Sequence, residues 1–160
     1  MVAKVFSSAA LGAAGVSLVE TEMLLYAPGW QPARPVVDDG IDLRVISRDG
    51  SKVYNLQVKA GAAWSFNMRR KWEHIPNFLG VYICNFKTRE QAEVYVLRFE
   101  DIIAVLDKWM PTGKFRSTLS WNQRSGDAGY GTWKTTPKLI AAMQAFRATP
   151  EPWRAVLQNE

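Results

Sequence analysis

Two alternating stretches flank the pair Asp49-Gly50, and this pattern constrains the fold more than any other feature of the chain. Residues 41–47 and 52–60 alternate between apolar and polar side chains, which is typical of strands that bury one face. An Asp-Gly pair between two such runs predicts a hairpin with a two-residue turn. Paired positions across that turn sum to 99, so we expect Asp42 to lie opposite Gln57.

The alternation sorts the hairpin side chains onto two faces. The apolar face carries Ile41, Leu43, Val45, Tyr54, Leu56 and Val58, and the polar face carries Asp42, Arg44, Asn55, Gln57 and Lys59. Opposed Cβ atoms lie about 5 Å apart and diagonal neighbours roughly 7 to 8 Å apart, so Asp42, Gln57 and Lys59 are expected to cluster. Alternation alone leaves open whether this cluster is a site or a solvated surface. Gly40, which leaves room beside Asp42, and the apolar neighbours of Gln57 favour a partly enclosed site.

The rest of the chain reads as an α/β (α+β) domain without repeats or a linker. Helical spacing and a Pro28-Gly29 breaker predict a helix over 7–26, in which Glu22 is expected to serve the surface. Strands are predicted at 78–86 and 93–98, and the first is expected in the interior of the sheet because it is apolar on both faces. Helices are predicted at 100–109 and 137–147, and Thr136 is expected to cap the second of them. Residues 62–73 fit a helix or an ordered loop, and 110–135 have no clear period.

Composition narrows the functional classes. A chain of 160 residues with 48% apolar residues predicts one domain over 1–160, and a net charge of +5 favours a polyanionic partner. The single cysteine, Cys84, excludes a disulfide framework within the chain. The single histidine, His74, lies in a polar stretch, which argues against Ser-His-Asp hydrolase chemistry. Serines and glycines interrupt the apolar N-terminal run, so we expect no signal peptide, no membrane span and a cytoplasmic location.

The order of motifs along the chain resembles the PD-(D/E)XK nuclease superfamily. Small members of that superfamily have a helix, then the sequence motifs G-W, P and G-x-D-L-x-V, then a turn, and then a strand that ends in Q-V-K. The matching residues are Gly29-Trp30, Pro35, the run 40–45 and Gln57-Val58-Lys59. The resemblance covers about residues 12–100 and leaves a C-terminal loop and helices over 110–160 unassigned. It implies a restriction-endonuclease-like αβββαβ core, with a mixed central sheet flanked by helices, and a divalent-metal-dependent DNA endonuclease of the homing, restriction or repair type.

The resemblance also implies the roles of the site residues. Asp42 and Gln57 would hold Mg²⁺, or Mn²⁺ in its place, through oxygen atoms. Lys59 would hold the attacking water or help to deprotonate it, and would offset charge on the phosphate. The family tends to carry a glutamate on the first helix, where this chain has Gly15-Val16. Glu20, one helical turn later, is the candidate replacement as a metal ligand.

Basic and aromatic residues in two segments form the expected DNA-binding surface. They are Arg69, Arg70 and Lys71, followed by Trp72, and then Lys114, Arg116, Trp121, Arg124 and Lys134. Trp109 and Trp153 are assigned to packing. Cutting both DNA strands would require a homodimer or a higher oligomer. Two alternatives remain: a DNA-binding module on the same fold whose catalysis has decayed, and an unrelated α/β interaction protein.

Overall fold

The structure is a computed structural model that describes residues 7–37, 39–64, 66–109, 130–133, 136–148, 153, 156 and 157; the side chains of 70, 109 and 130–133 are outside that description. The helices are α1 (Ser8–Tyr26), α2 (Phe99–Trp109) and α3 (Pro137–Met143), with 3₁₀ helices at Arg70–His74 and Gln144–Phe146. The strands are β1 (Trp30–Ala33), β2 (Leu43–Ser47), β3 (Val53–Ala60), β4 (Phe66–Arg69), β5 (Phe78–Cys84), β6 (Glu93–Arg98) and β7 (Tyr130–Trp133).

Five strands form one mixed sheet in the order β1-β2-β3-β5-β6. Strands β1 to β3 are antiparallel, β3 and β5 are parallel, and β5 and β6 are antiparallel. Every residue of β5 is buried, which confirms that this strand is interior. The expected α+β class, with a mixed sheet and flanking helices, is therefore confirmed.

The hairpin has the predicted register but a longer turn. Leu43 pairs with Leu56, and the Ser47 N–H donates to the Lys52 carbonyl, so four residues form the loop. A two-residue type I′ turn needs positive φ at both central residues, whereas in this loop only Gly50 has it, at +72°. The register is preserved because one residue is added to the loop on each side.

The loop is held by the Asp49 side chain. Its Oδ1 accepts hydrogen bonds from the Ser47 hydroxyl (2.6 Å) and from the Ser51 hydroxyl and N–H (2.8 and 3.1 Å). These bonds, the one from Ser47 most strongly, lower the pKa of Asp49 to about 2. The aspartate therefore stabilises this turn through its side chain rather than through a left-handed backbone.

The segment between β3 and β5 differs from both interpretations of the sequence. It forms β4 and the 3₁₀ helix Arg70–His74, and β4 pairs with β7, which comes from the stretch without a clear period. This second sheet was not predicted, because each of its strands has only four residues and depends on a partner distant in sequence. Thr136 caps α3 as expected, with its hydroxyl accepting from the Leu139 N–H.

The sheet has an apolar core on each face. Leu43, Leu56 and Val58 point toward α1, together with Val19 and Met23 of that helix. Phe78, Tyr82 and Leu97 point the other way, toward α2 and α3. α1 approaches β3 closely at Gly15, where an added Cβ would lie 2.7 Å from that of Ala60. By length and mean hydropathy α1 could also cross a membrane, a property that core helices and N-terminal signal sequences share.

Glu22 is buried, which corrects the expectation that it serves the surface. Its carboxylate accepts hydrogen bonds from Arg89 (2.5 Å) and from the Trp153 indole N–H (3.1 Å). Its residue exposure is 7%. This carboxylate ties α1 to the β5–β6 turn and to the C-terminal segment. Trp153 is a core residue, as expected, with an exposure of 1%.

Candidate functional site

Asp42 lies where the regular pairing of β2 with β3 ends, and its carboxylate contacts a side chain of the predicted polar face. Its Oδ2 accepts hydrogen bonds from the Gln57 side-chain amide and from the Val58 backbone N–H, the latter at 2.7 Å. The Asp42 N–H donates to the Leu56 carbonyl, one residue away from the strictly opposed partner. The structure thus brings Asp42 and Gln57 together through their side chains, while regular strand pairing stops at Leu43.

Gln57 is almost fully buried, with 6% of its surface exposed. It lies beside Gly80 of β5, on the sheet face away from α1. Ile102 of α2 covers Gly80 so closely that a Cβ there would lie 3.0 Å from its Cδ1. A buried amide requires hydrogen-bond partners, and Asp42 supplies one.

Lys59 is half-buried on the same face of β3, two residues after Gln57. Its Nζ lies 5.9 Å from the centre of the Trp72 ring, within the range of a cation–π contact. Trp72 is 1% exposed and stacks on Phe78, with ring centres 5.0 Å apart. Because the ring is fixed by packing, it limits the positions that the Lys59 ammonium takes. Residues 69–72 were predicted to contact DNA, whereas the contact of Trp72 with Lys59 was not predicted.

Tyr82 lies next to Lys59 in the parallel pair β3–β5. Its hydroxyl is buried and donates to the Asn67 carbonyl at 2.8 Å. Burial raises the pKa of Tyr82 well above its ordinary value. The phenol therefore remains neutral, and we assign it a packing role beneath Lys59 rather than a role in acid-base chemistry.

Lys71 lies at the entrance to the cluster. Its Nζ would be 2.9 Å from a Cβ added to Gly40, two residues before Asp42, and Gly40 has a φ of +86°. The space expected beside Asp42 is therefore occupied by an exposed lysine that was itself predicted to contact DNA. The Lys71 ammonium thus lies beside Gly40, and the Lys59 ammonium lies near Trp72 on the strand face that carries Gln57.

The remaining predicted DNA contacts are placed only in part. Arg69 is half-buried at the end of β4, and the backbone of Arg70 begins the 3₁₀ helix. The Arg70 side chain lies outside the described part of the chain. So do the whole residues Lys114, Arg116, Trp121, Arg124 and Lys134, and for these positions DNA contact stays a prediction.

Glu20 contacts a different part of the molecule. Its two carboxylate oxygens accept hydrogen bonds from the Arg34 guanidinium, at 2.8 and 2.7 Å. Those hydrogen bonds lower the pKa of Glu20 from its ordinary value. α1 packs on the sheet face opposite Gln57, so this geometry links Glu20 to the residue following β1 rather than to the Asp42–Gln57 pair.

The donor set determines which cation the cluster fits. In the described part of the chain, no three His, Cys, Asp or Glu side chains form a metal-binding group. Asp42 offers one carboxylate, and a half-turn of the Gln57 amide would direct its oxygen toward that carboxylate, an orientation that a cation between them would favour. Mg²⁺ is commonly held by one or two protein carboxylates, substrate phosphate oxygens and water. One carboxylate and one amide oxygen are the protein ligands that the described cluster could offer, and Mg²⁺ at this place stays a prediction.

Comparison with known proteins provides no family assignment. No family model matches the chain, and neither a curated protein nor a solved structure matches it. The fold and the site define an α+β domain with a mixed sheet. The buried Gln57 and Lys59 lie on the C-terminal half of the central strand β3, and Asp42, which precedes β2, contacts Gln57 there.

Proposed function

We propose that this protein is a divalent-metal-dependent DNA endonuclease with a PD-(D/E)XK-type core. The observation that carries the proposal is the contact of Asp42 with Gln57, with Lys59 two residues further along the same face of β3. The chain order of the motif residues supports it, and so does the parallel pairing of β3 with β5. The net charge of +5 supports a polyanionic substrate.

In this proposal Asp42 and Gln57 hold the cation through a carboxylate and an amide oxygen. When bound, the cation polarises the phosphate and lowers the pKa of a water molecule. Because Gln57 is neutral, the site carries one negative charge fewer than a two-carboxylate site. We therefore expect cation affinity to be weak without DNA and to rise when a phosphate is present.

Lys59 donates hydrogen bonds to the attacking water and to a phosphate oxygen, where negative charge accumulates in the transition state. The buried Trp72 ring keeps its ammonium near that position, and Lys71 binds a neighbouring phosphate. A bond forms between the water oxygen and phosphorus while the bond from phosphorus to the leaving sugar oxygen breaks. The water proton passes to solvent, and the leaving oxygen takes a proton from solvent.

A second candidate is a DNA-binding module on the same fold that has lost catalysis. The hydrogen bonds of Asp42 to Gln57 and Val58 favour it, because they give the carboxylate a structural role without any cation. The bidentate pair of Glu20 with Arg34 favours it as well, because Glu20 would have to leave Arg34 to bind a metal. Lys59 fits both candidates, because its ammonium could stabilise a transition state or bind a DNA phosphate.

Cleavage of supercoiled plasmid tests the proposal. The wild-type protein should nick or linearise plasmid with Mg²⁺ or Mn²⁺ and leave it intact with EDTA. Lys59→Ala should reduce the rate by about 10²-fold or more, because one charged group that stabilises the transition state is lost. Arg48→Ala removes a charge of the same sign from the exposed β2–β3 loop, at the other end of β3, and should cut like the wild type.

Two results would refute the nuclease. One is an intact plasmid with both metals, and the other is a folded Lys59→Ala protein that cuts at the wild-type rate. DNA affinity measured at graded salt then separates the remaining candidates. Binding that weakens steeply with salt supports the binding module, and absence of binding supports an interaction protein unrelated to DNA.

A further inference from the structure

A cavity of about 360 Å³ lies beside the edge strand β6, on the sheet face that α1 covers. Its lining comes from four segments, namely the end of α1, the β5–β6 turn, the start of β6 and the C-terminal segment after α3. Gln57 and Lys59 lie on the other face of the sheet. The cavity is therefore separate from the candidate metal site.

Only part of the lining is open to a ligand. Glu22, Val94 and Trp153 are 7%, 4% and 1% exposed, so they form the closed inner wall. Arg89 and Arg147 are exposed. A ligand that enters the cavity therefore meets two guanidinium groups.

The buried Glu22 carboxylate fixes one of these guanidinium groups. Its Oε1 accepts a hydrogen bond from Arg89, and its Oε2 accepts one from the Trp153 indole N–H. Arg89 uses Nη2 for this contact while 54% of its side-chain surface stays exposed, so further N–H donors remain for a second acceptor. The ion pair thus holds Arg89 at the cavity without using all of its donors.

Arg147 leaves the cavity with one uncompensated positive charge. Within the part of the chain that the structure describes, no carboxylate pairs with this arginine. Glu90 follows Arg89 in the sequence, but it is exposed in the turn and does not line the cavity. The described lining therefore carries two guanidinium groups and a single carboxylate, that of Glu22.

This charge balance selects a class of ligand. An organic cation would be repelled, and a neutral apolar molecule would take water from the guanidinium groups without offering an acceptor. A carboxylate matches the guanidinium fork with its two oxygens and balances the single excess charge. A phosphate monoester, with about −1.5 to −2 charges at neutral pH, would exceed that charge in a cavity that also contains Glu22.

We propose that this cavity binds a small organic carboxylate. Its oxygens accept hydrogen bonds from Arg147 and Arg89, and its apolar part lies against Ala92 and Ala148, which are half-buried in the lining. The volume is that of a pocket for a small molecule. The bound carboxylate would link α1, the β5–β6 turn and the C-terminal segment, and would thereby stabilise the folded protein. This site does not depend on the proposed nuclease activity.

Titration with butyrate tests the proposal. The ¹⁵N-labelled wild-type protein is titrated with sodium butyrate at constant ionic strength, balanced with sodium chloride, and its amide signals are followed by NMR. Signals of residues that line the cavity should shift and saturate, and the midpoint of thermal unfolding should rise with butyrate concentration. Acetate, which has a shorter apolar chain, should bind more weakly. Butylammonium, which has a similar chain and the opposite charge, should not bind.

Matched arginine variants test the charge. Arg147→Gln should bind butyrate about tenfold more weakly, because a hydrogen bond between two charged groups is lost. Arg98→Gln removes an exposed arginine from the other end of β6 and should bind like the wild type. Arg89 is retained, since its removal would leave the buried Glu22 without its cation.

Three results would overturn the proposal: no saturable shift with butyrate, wild-type affinity in Arg147→Gln, or butylammonium binding as tight as that of butyrate. Dimethyl phosphate carries the same single charge on a phosphodiester. If it binds more tightly than butyrate, the cavity recognises a phosphodiester and the assignment to a carboxylate is wrong. A blocked dipeptide with a free C-terminal carboxylate identifies the source of the ligand. Tighter binding of the dipeptide than of butyrate supports a peptide C-terminus, and the reverse order supports a free small acid.

Discussion

Replacing Asp42 should affect stability as well as activity, because its carboxylate is part of the hydrogen-bonding scheme of the hairpin. Asp42→Ala removes the acceptor of two buried donors, the Gln57 amide and the Val58 N–H. Each unsatisfied donor costs about 1–3 kcal/mol, and Asp42 itself is half-buried, so water reaches part of the gap. We therefore expect the free energy of unfolding to fall by about 2–3 kcal/mol.

Asp42→Asn should be milder for stability and equally severe for cleavage. The asparagine oxygen can accept from the Val58 N–H, and Gln57 can turn its amide so that its oxygen accepts from the asparagine. Only the strengthening that the negative charge gives to these bonds is lost, about 1 kcal/mol. Because the proposed metal site loses its only carboxylate, both variants should lose Mg²⁺-dependent cleavage.

Urea unfolding followed by circular dichroism measures these differences. Arg44→Ala is the control, since Arg44 pairs with Asp39 at 3.1 Å where both side chains are well exposed. Such surface pairs contribute about 0–1 kcal/mol. Wild-type stability in Asp42→Ala, or lower stability in Asp42→Asn than in Asp42→Ala, would show that this account of the carboxylate is wrong.

Three further perturbations test the packing and the turn. Gly15→Ala should lower the free energy of unfolding by about 1 kcal/mol in urea titrations, because the close approach to Ala60 outweighs the usual gain from alanine in a helix. Gly12→Ala should raise the free energy of unfolding by about 0.5–1 kcal/mol, because a Cβ at Gly12 has nothing within 4 Å. Equal effects of the two variants would contradict this reasoning. Glu22→Ala should cost about 2–3 kcal/mol by the same measurement, because it leaves a buried indole N–H without its acceptor and a guanidinium without its partner, whereas wild-type stability would exclude a structural role. The pKa of Asp49 is lowered from 3.8 to about 2, so the stabilisation by its carboxylate should be complete above pH 3.8 and lost as the pH falls through 2. The difference in the free energy of unfolding between wild type and Asp49→Ala should therefore shrink over that pH range. A constant difference would refute this prediction.

Local pattern was sufficient for the hairpin and for the side chains that it presents. The register at Leu43 and Leu56 was predictable because a strand alternates with period two and the turn residues set its phase. The same alternation placed Gln57 and Lys59 on one face, and the Thr136 cap followed from residues close in sequence. Strands β5 and β6 were predictable because their apolar runs end at turn residues.

Only the tertiary structure decided what surrounds those side chains. The contact of Lys59 with Trp72 depends on a 3₁₀ helix that carries no periodic signal, and β4 depends on a partner far along the chain. Glu20 and Glu22 are two residues apart on one helix, yet one pairs with Arg34 and the other is buried against Trp153. Period and turn chemistry act over a few residues, whereas a charged or aromatic side chain takes the partner that packing brings to it from anywhere in the chain. The sequence by itself therefore determined the strand and its polar face, and the packing of distant segments determined which groups meet there.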